Sequence, residues 1–128
     1  MRKIKLLIVD DEIVVQRSCV DVFTEKSDRY DILTVSSGEQ ALKVMQGESF
    51  DIILTDLKMP GLSGLDLISS IKKHSPDTIV IVITGYSTVK TAVEAMKLGA
   101  DDFLPKPFTA DEVFSAVEKI ADKVFGKE

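Results

Sequence analysis

The chain has one cysteine, Cys19, and one histidine, His74. One thiol cannot close an internal disulfide, and a lone Cys with a lone His matches neither a zinc-ligand spacing nor a Cys/His nucleophile pair. A reducing, cytoplasmic setting is expected. Long apolar stretches are also missing. Runs such as Leu6-Leu7-Ile8-Val9 and Ile79-Val80-Ile81-Val82-Ile83 are far short of a membrane span. Asp10-Asp11-Glu12 cuts off the first of them before it could serve as a secretory signal core. Positive charge is not in excess either: 16 Lys and Arg against 21 Asp and Glu give a net charge of −5. With no long basic run, direct contact with nucleic acid or an anionic membrane is not expected. What remains, 45% hydrophobic and 29% charged over 128 residues, suits one domain with its own core, spanning residues 1–128. There is no repeat, low-complexity tract or linker.

Short β-branched apolar runs alternate with longer segments whose apolar residues recur at helical spacing. The strands expected are Ile4–Val9, 31–35, Ile52–Thr55, Ile79–Thr84 and 102–104. Three of them are nearly continuous apolar runs, as in strands covered on both faces. Helical stripes are carried by Val15, Cys19, Val22 and Phe23, by Ala41, Val44 and Met45, and by Leu67, Ile68 and Ile71. Val89, Ala92, Val93 and Met96 form a fourth stripe, and Val113, Val117, Ile120 and Val124 a fifth. Thr109 and Glu112 have capping-box spacing at the start of the last helix, and Gly99 is placed to end the fourth. Pro105 and Pro107 follow the fifth strand, so it should be short and lie at a sheet edge. Five β-α units with right-handed crossovers give an α/β fold, a flavodoxin-like doubly wound (βα)5 sheet of five parallel strands in the order 2-1-3-4-5.

In such sheets ligands bind beyond the carboxyl ends of the strands, where the connections diverge. The first strand runs into Asp10-Asp11-Glu12, the third into Asp56, the fourth ends in Thr84-Gly85, and the fifth is followed by Lys106-Pro107. Each residue alone has an ordinary role as a cap, a turn acid, β-branched filler or a solvated charge. Their joint placement at one rim is the informative feature. Three carboxylates within a few ångströms repel one another unless a cation joins them, and an all-oxygen set with room for water suits Mg²⁺. Lys106 adds a fixed positive charge and Thr84 a hydroxyl donor, which together could hold the oxygens of a transferring phosphoryl group. A carboxylate can itself be the nucleophile, and Asp56, ending a central buried strand, is the candidate.

These residues match a family. Leu6-Leu7-Ile8-Val9-Asp10-Asp11-Glu12, Asp56-Leu57-Lys58-Met59-Pro60-Gly61 with Gly64 following, Ile83-Thr84-Gly85 and Lys106-Pro107-Phe108 stand in family order. The chain resembles the receiver domain of two-component response regulators over essentially its whole length. The stretch from Thr88 to Ala100 with Asp102-Phe103-Leu104 is similar to the NtrC-like branch. The resemblance implies that Asp56 accepts a phosphoryl group from a phosphohistidine on a sensor histidine kinase or phosphotransfer protein. It implies Mg²⁺ bound by Asp11, Asp56 and the main-chain carbonyl of Lys58, with Asp10 acting mostly through water. Lys106 would pair with the phosphoryl oxygens, and the Lys106-Pro107 bond would be cis. Thr84 would bond the phosphoryl group while Phe103 turns inward, changing the face made by the fourth helix, fifth strand and fifth helix. The domain would catalyse its own phosphorylation and dephosphorylation without being a conventional enzyme.

Tyrosine is also common in the family where this chain has Phe103, so coupling to Thr84 must be steric here. Gly85 leaves the backbone beside Thr84 free to move. Partners implied are the kinase and an effector domain or output protein, with a homodimer through the same face also compatible. No effector domain is expected within the chain, and the NtrC-like stretch points to transcription regulation. His74 reads as an exposed helix-end residue and Cys19 as a small buried hydrophobe. A flavodoxin-type cofactor module fits poorly, because Asp10-Asp11-Glu12 would repel a phosphate that lacks a metal. A haloacid-dehalogenase-like phosphatase wants a second acid two residues after its nucleophile, where this chain has Lys58. A receiver-like interaction module that is never phosphorylated is the remaining alternative. Lys58 and Tyr86 flank the expected phosphoryl site, by charge and by shielding, so Lys58→Ala and Tyr86→Ala should each change the phosphoaspartate half-life. Unchanged decay in both variants would remove that role.

Overall fold

The computed structural model describes residues 2–85, 88–105 and 109–126. In chain order the elements are β1 (Ile4–Val9), α1 (Ile13–Lys26), β2 (Tyr30–Val35), α2 (Gly38–Gly47), β3 (Ile52–Thr55), α3 (Gly64–His74), β4 (Ile79–Thr84), α4 (Val89–Lys97), β5 (Asp102–Pro105) and α5 (Ala110–Phe125). The strands form one parallel sheet in the order β2-β1-β3-β4-β5, as the alternation predicts. β2 starts one residue earlier than expected, at Tyr30. β5 extends one residue further, to Pro105, at the end of an edge strand, where proline is tolerated.

Successive side chains of a strand point to opposite faces. Ile4, Leu6 and Ile8 of β1 pack with Cys19, Val22 and Phe23 of α1 and with Val113, Val117 and Ala121 of α5. Leu7 and Val9 pack on the other side with Ala41 of α2, Leu67, Ile68 and Ile71 of α3, and Ala95 of α4. β3 and β4 divide in the same way, with every residue of both buried. Each fully buried aliphatic side chain contributes about 1.5–3 kcal/mol relative to exposure, so the three inner strands are the most firmly held part of the molecule.

Two stripes differ from expectation. Val89, Val93 and Met96 of α4 are exposed, at 83%, 46% and 47%, and Ala92 is only partly buried. The helix seats itself through Ala95, whose small side chain allows close approach, so the larger apolar row turns to solvent. On α5, Val113 and Val117 are buried as expected and Ile120 partly so, but Val124 is exposed. The anchor of that last turn is polar instead. Arg29, almost fully buried, pairs with Asp122 at 2.8 Å and with Glu118 at 3.6 Å, and it donates to the carbonyls of Ala121 and Gly126.

Helix ends follow local chemistry. Thr109 Oγ1 accepts from Glu112 N at 3.1 Å while Glu112 Oε1 accepts from Thr109 N at 3.0 Å, the expected capping box, and Thr88 with Thr91 forms a second. α4 ends in a Schellman motif: Gly99 has φ +112° and donates to Met96 O, while Ala100 donates to Ala95 O. His74 is the exposed last residue of α3, and Cys19 is buried on α1.

Next to Arg29, the Tyr30 ring stands edge-on to Phe23 at 5.0 Å and its hydroxyl donates to the Glu118 carboxylate. Burial, followed by the bond and charge of Glu118, pushes the Tyr30 phenol well above the usual tyrosine range. Below about pH 10 the phenol is neutral in both folded and unfolded chains and its stabilisation is complete. Above that, only the unfolded chain loses the proton, so stability falls by up to ~1.4 kcal/mol per pH unit from this group. Urea unfolding of Tyr30→Phe should therefore show a shallower alkaline loss than the wild type, and parallel pH profiles would contradict the burial argument.

Candidate functional site

Parallel strands finish at one edge of the sheet, and the chain leaves the adjacent strands β1 and β3 at Asp10 and Asp56. Asp56 N donates to Val9 O at 3.1 Å and Asp10 N donates to Val35 O at 3.2 Å. Both backbones are thus held one step past the strands. Asp10 is fully buried, Asp56 is 5% exposed, and Asp11 is exposed. One carboxylate oxygen from each lies within 4.8 Å of the others. Carboxylates brought this close repel one another, and a cation would draw them together.

Backbone amides fix two of the acids. Glu12 N donates to Asp10 Oδ1 at 2.9 Å, and Lys58 N donates to Asp56 Oδ1 at 3.2 Å. In each case the side chain accepts from the amide two residues on, which sets its direction. Asp11, Glu12, Asp56, Lys58, Met59, Pro60 and Gly85 line an open cleft of about 580 Å³. With a liquid water occupying about 30 Å³, a hydrated ion and a phosphate-sized group both have room. The donor set is entirely oxygen, which fits a hard divalent cation such as Mg²⁺ and disfavours softer metals.

Thr84 closes β4 and is fully buried, so the cleft wall there is Gly85. Phe103 sits opposite Val82, and Thr84 opposite Pro105. Val82 and Phe103 both pack in the layer of α3 and α4, and Thr84 follows Val82 by two residues. Thr84 and Phe103 therefore share one face of the sheet on neighbouring strands. The expectations for Tyr86, Lys106 and the Lys106-Pro107 bond fall outside the described residues.

Other residues hold the site without having been singled out from sequence. Gln16 of α1 is 7% exposed, and its Nε2 donates to Asp10 O at 2.6 Å and Val35 O at 3.1 Å, with Ser36 Oγ at 3.2 Å. Its signal in the sequence is a polar residue three before Cys19 and seven before Phe23, in line with the buried row. Glu39 of α2 accepts from Leu62 N at 3.0 Å and so pins the loop after β3, where Gly61 has φ +82°. Gly64, present in the motif, has a steric reason: a Cβ there would lie 2.3 Å from Asp56 O and 2.4 Å from Leu57 Cα.

With this geometry in hand, comparison with known proteins is specific. Residues 6–118 match the family model of the response regulator receiver domain. The chain is 35% identical over 116 residues, 91% of its length, to the transcriptional regulatory protein ZraR of Escherichia coli K12. It is 40% identical over 86 residues, 67% of its length, to the DNA-binding transcriptional regulator NtrC of the same strain. These likenesses bear out the NtrC-like branch. The matches cover only 26% of ZraR and 18% of NtrC. A response regulator receiver domain structure from Clostridium thermocellum superposes with a TM-score of 0.79 at 34% identity, covering 94% of this chain and 95% of that one.

The contact at Gly64 yields a test. Gly64→Ala must push the Asp56-Leu57 backbone away from α3 and should cost about 1–3 kcal/mol in urea unfolding. Gly47→Ala, where nothing lies within 4 Å of an added Cβ, should be neutral or stabilising. Equal stability of the two variants would show that the approach at Gly64 is slack.

Proposed function

The chain belongs to the response regulator receiver domain family, and from that premise we propose that it is a phosphorylation-driven signalling switch whose phosphoacceptor is Asp56. The observation that carries this reading is the convergence of the Asp10, Asp11 and Asp56 carboxylates at the ends of β1 and β3. A carboxylate oxygen of Asp56 attacks the phosphorus of a phosphohistidine on a sensor histidine kinase or phosphotransfer protein. The P–N bond breaks, its electron pair returns to the imidazole, which takes up a proton, and an acyl phosphate is left on Asp56. Water attack later releases inorganic phosphate, so the chain turns its own phosphorylation on and off without acting on an external substrate.

Asp11, Asp56 and the Lys58 main-chain carbonyl would hold Mg²⁺, with Asp10 acting mainly through water. The bound ion supplies positive charge against the phosphoryl oxygens. Lys106 supplies a second, fixed charge. Thr84 donates its hydroxyl to the phosphoryl group, and Phe103, on the same face, moves inward as Thr84 shifts. The switch is a population shift between two packings, biased by contacts that exist only when the phosphoryl group is present. Its readout is the face of α4, β5 and α5, where Val89, Val93 and Met96 stand exposed. An effector domain, an output protein or a second copy would contact that face.

Residues 1–128 are read as one receiver domain, and the output as transcription regulation, because ZraR and NtrC are transcriptional regulators. The net charge of −5 argues that the domain itself does not bind DNA. No helix among the described residues is long and apolar enough to cross a membrane, which suits a cytoplasmic partner of a kinase. Intact mass after incubation with acetyl phosphate and Mg²⁺ tests the reading. A labile gain of one phosphoryl group, lost in Asp56→Asn and in EDTA, is expected. No gain in a folded wild type would instead make this an interaction module that is never phosphorylated.

A further inference from the structure

Glu12 is the N-cap of α1 and its side chain makes no capping bond; the bonds that shape the turn between β1 and α1 come from its neighbours. Asp10 Oδ1 accepts from Glu12 N within the turn, and Gln16, in the first turn of α1, reaches back six residues to the Asp10 carbonyl at 2.6 Å. The same amide nitrogen lies 3.1 Å from Val35 O and 3.2 Å from Ser36 Oγ. A glutamine amide has two N–H groups, so one of them is shared. Val35 O also accepts the Asp10 N–H. A single buried side chain therefore ties the acidic turn to the ends of β1 and β2.

This has a consequence for the carboxylates. A peptide group is planar and trans, so the direction of the Asp10 carbonyl also fixes that of the Asp11 N–H and the two Cα atoms it joins. Both Asp10 and Asp11 depart from that plane. Removing the amide would leave the buried Asp10 carbonyl without the Gln16 donor, and the plane could then rotate to seek another.

We propose that Gln16 is a positioning residue for the divalent-cation site, setting the Asp10-Asp11 peptide so that both carboxylates are arranged with Asp56 before the ion arrives. The inference rests on the reading of that cluster as an Mg²⁺ site. Groups that orient metal ligands without touching the ion commonly change affinity by 10–100-fold when removed, whereas a core contact elsewhere changes stability alone.

The test is Mg²⁺ titration calorimetry on the full chain. Gln16→Met keeps the length and removes the donors, Gln16→Asn withdraws the amide by one methylene and guards against a variant that does not fold, and Val117→Ala is a buried control in α5. Both Gln16 variants should bind Mg²⁺ about tenfold or more weakly, with Val117→Ala within about twofold of wild type. Amide hydrogen exchange in EDTA gives a metal-free readout: Asp11 and Glu12 should exchange faster in Gln16→Met, relative to the amides of β4. Wild-type Mg²⁺ affinity in Gln16→Met would overturn the positioning role and leave Asp56 as phosphoacceptor untouched. A wild type that takes no Mg²⁺ would overturn the cation-site reading and this inference with it.

Discussion

Everything at the carboxylate rim depends on like charges being held where they would rather separate. Asp10 and Asp56 are buried at the ends of neighbouring strands, and neither can retreat. Their amides continue the ladder to Val35 and Val9, and Gly64 of α3 lies directly against the Asp56-Leu57 backbone. A flexible loop carrying the same acids would spread them apart at little cost. On this scaffold the acids stay together, held by the packing of β1, β3 and β4 on both sides of the sheet. In the proposed function, a cation, or a phosphoryl group accompanied by cations, is the species such a cluster would take.

The same rigidity explains how a local event could reach a distant face. β4 and β5 run from the rim beneath α4, and Thr84 and Phe103 share the face of the sheet that α4 covers. α4 is attached lightly, through Ala95 rather than through its Val and Met residues. An element with little buried area is the one most readily shifted against a fixed sheet. In the proposed switch the firmly packed strands serve as the reference frame and α4 as the part that moves.

Much of this was legible in the sequence, for a physical reason. β1, β3 and β4 are nearly continuous apolar runs stopped by a charge or a hydroxyl, so strand identity and site position are written in the same few residues. The α4 stripe was harder to read. Periodicity shows that Val89, Val93 and Met96 line up, but not that Ala95 on another face is the one buried. Val124 misleads likewise, because the last turn of α5 is fastened by Arg29 and Asp122, a pairing 93 residues apart in sequence. Gln16 escaped notice because amphipathic patterns assign a glutamine to solvent. Its burial depends on two carbonyls and a hydroxyl brought together only when β1 and β2 pair.

In the proposed site, the crowded charges of Asp10, Asp11 and Asp56 lower stability until a divalent cation joins them. The most direct measurement is urea unfolding of wild type and Asp11→Asn, each in EDTA and over a range of Mg²⁺ concentrations. Removing one of the crowded charges should raise the midpoint in EDTA, while Mg²⁺ should stabilise the wild type far more than the variant. A variant less stable than wild type in EDTA, with the two chains responding equally to Mg²⁺, would contradict the account.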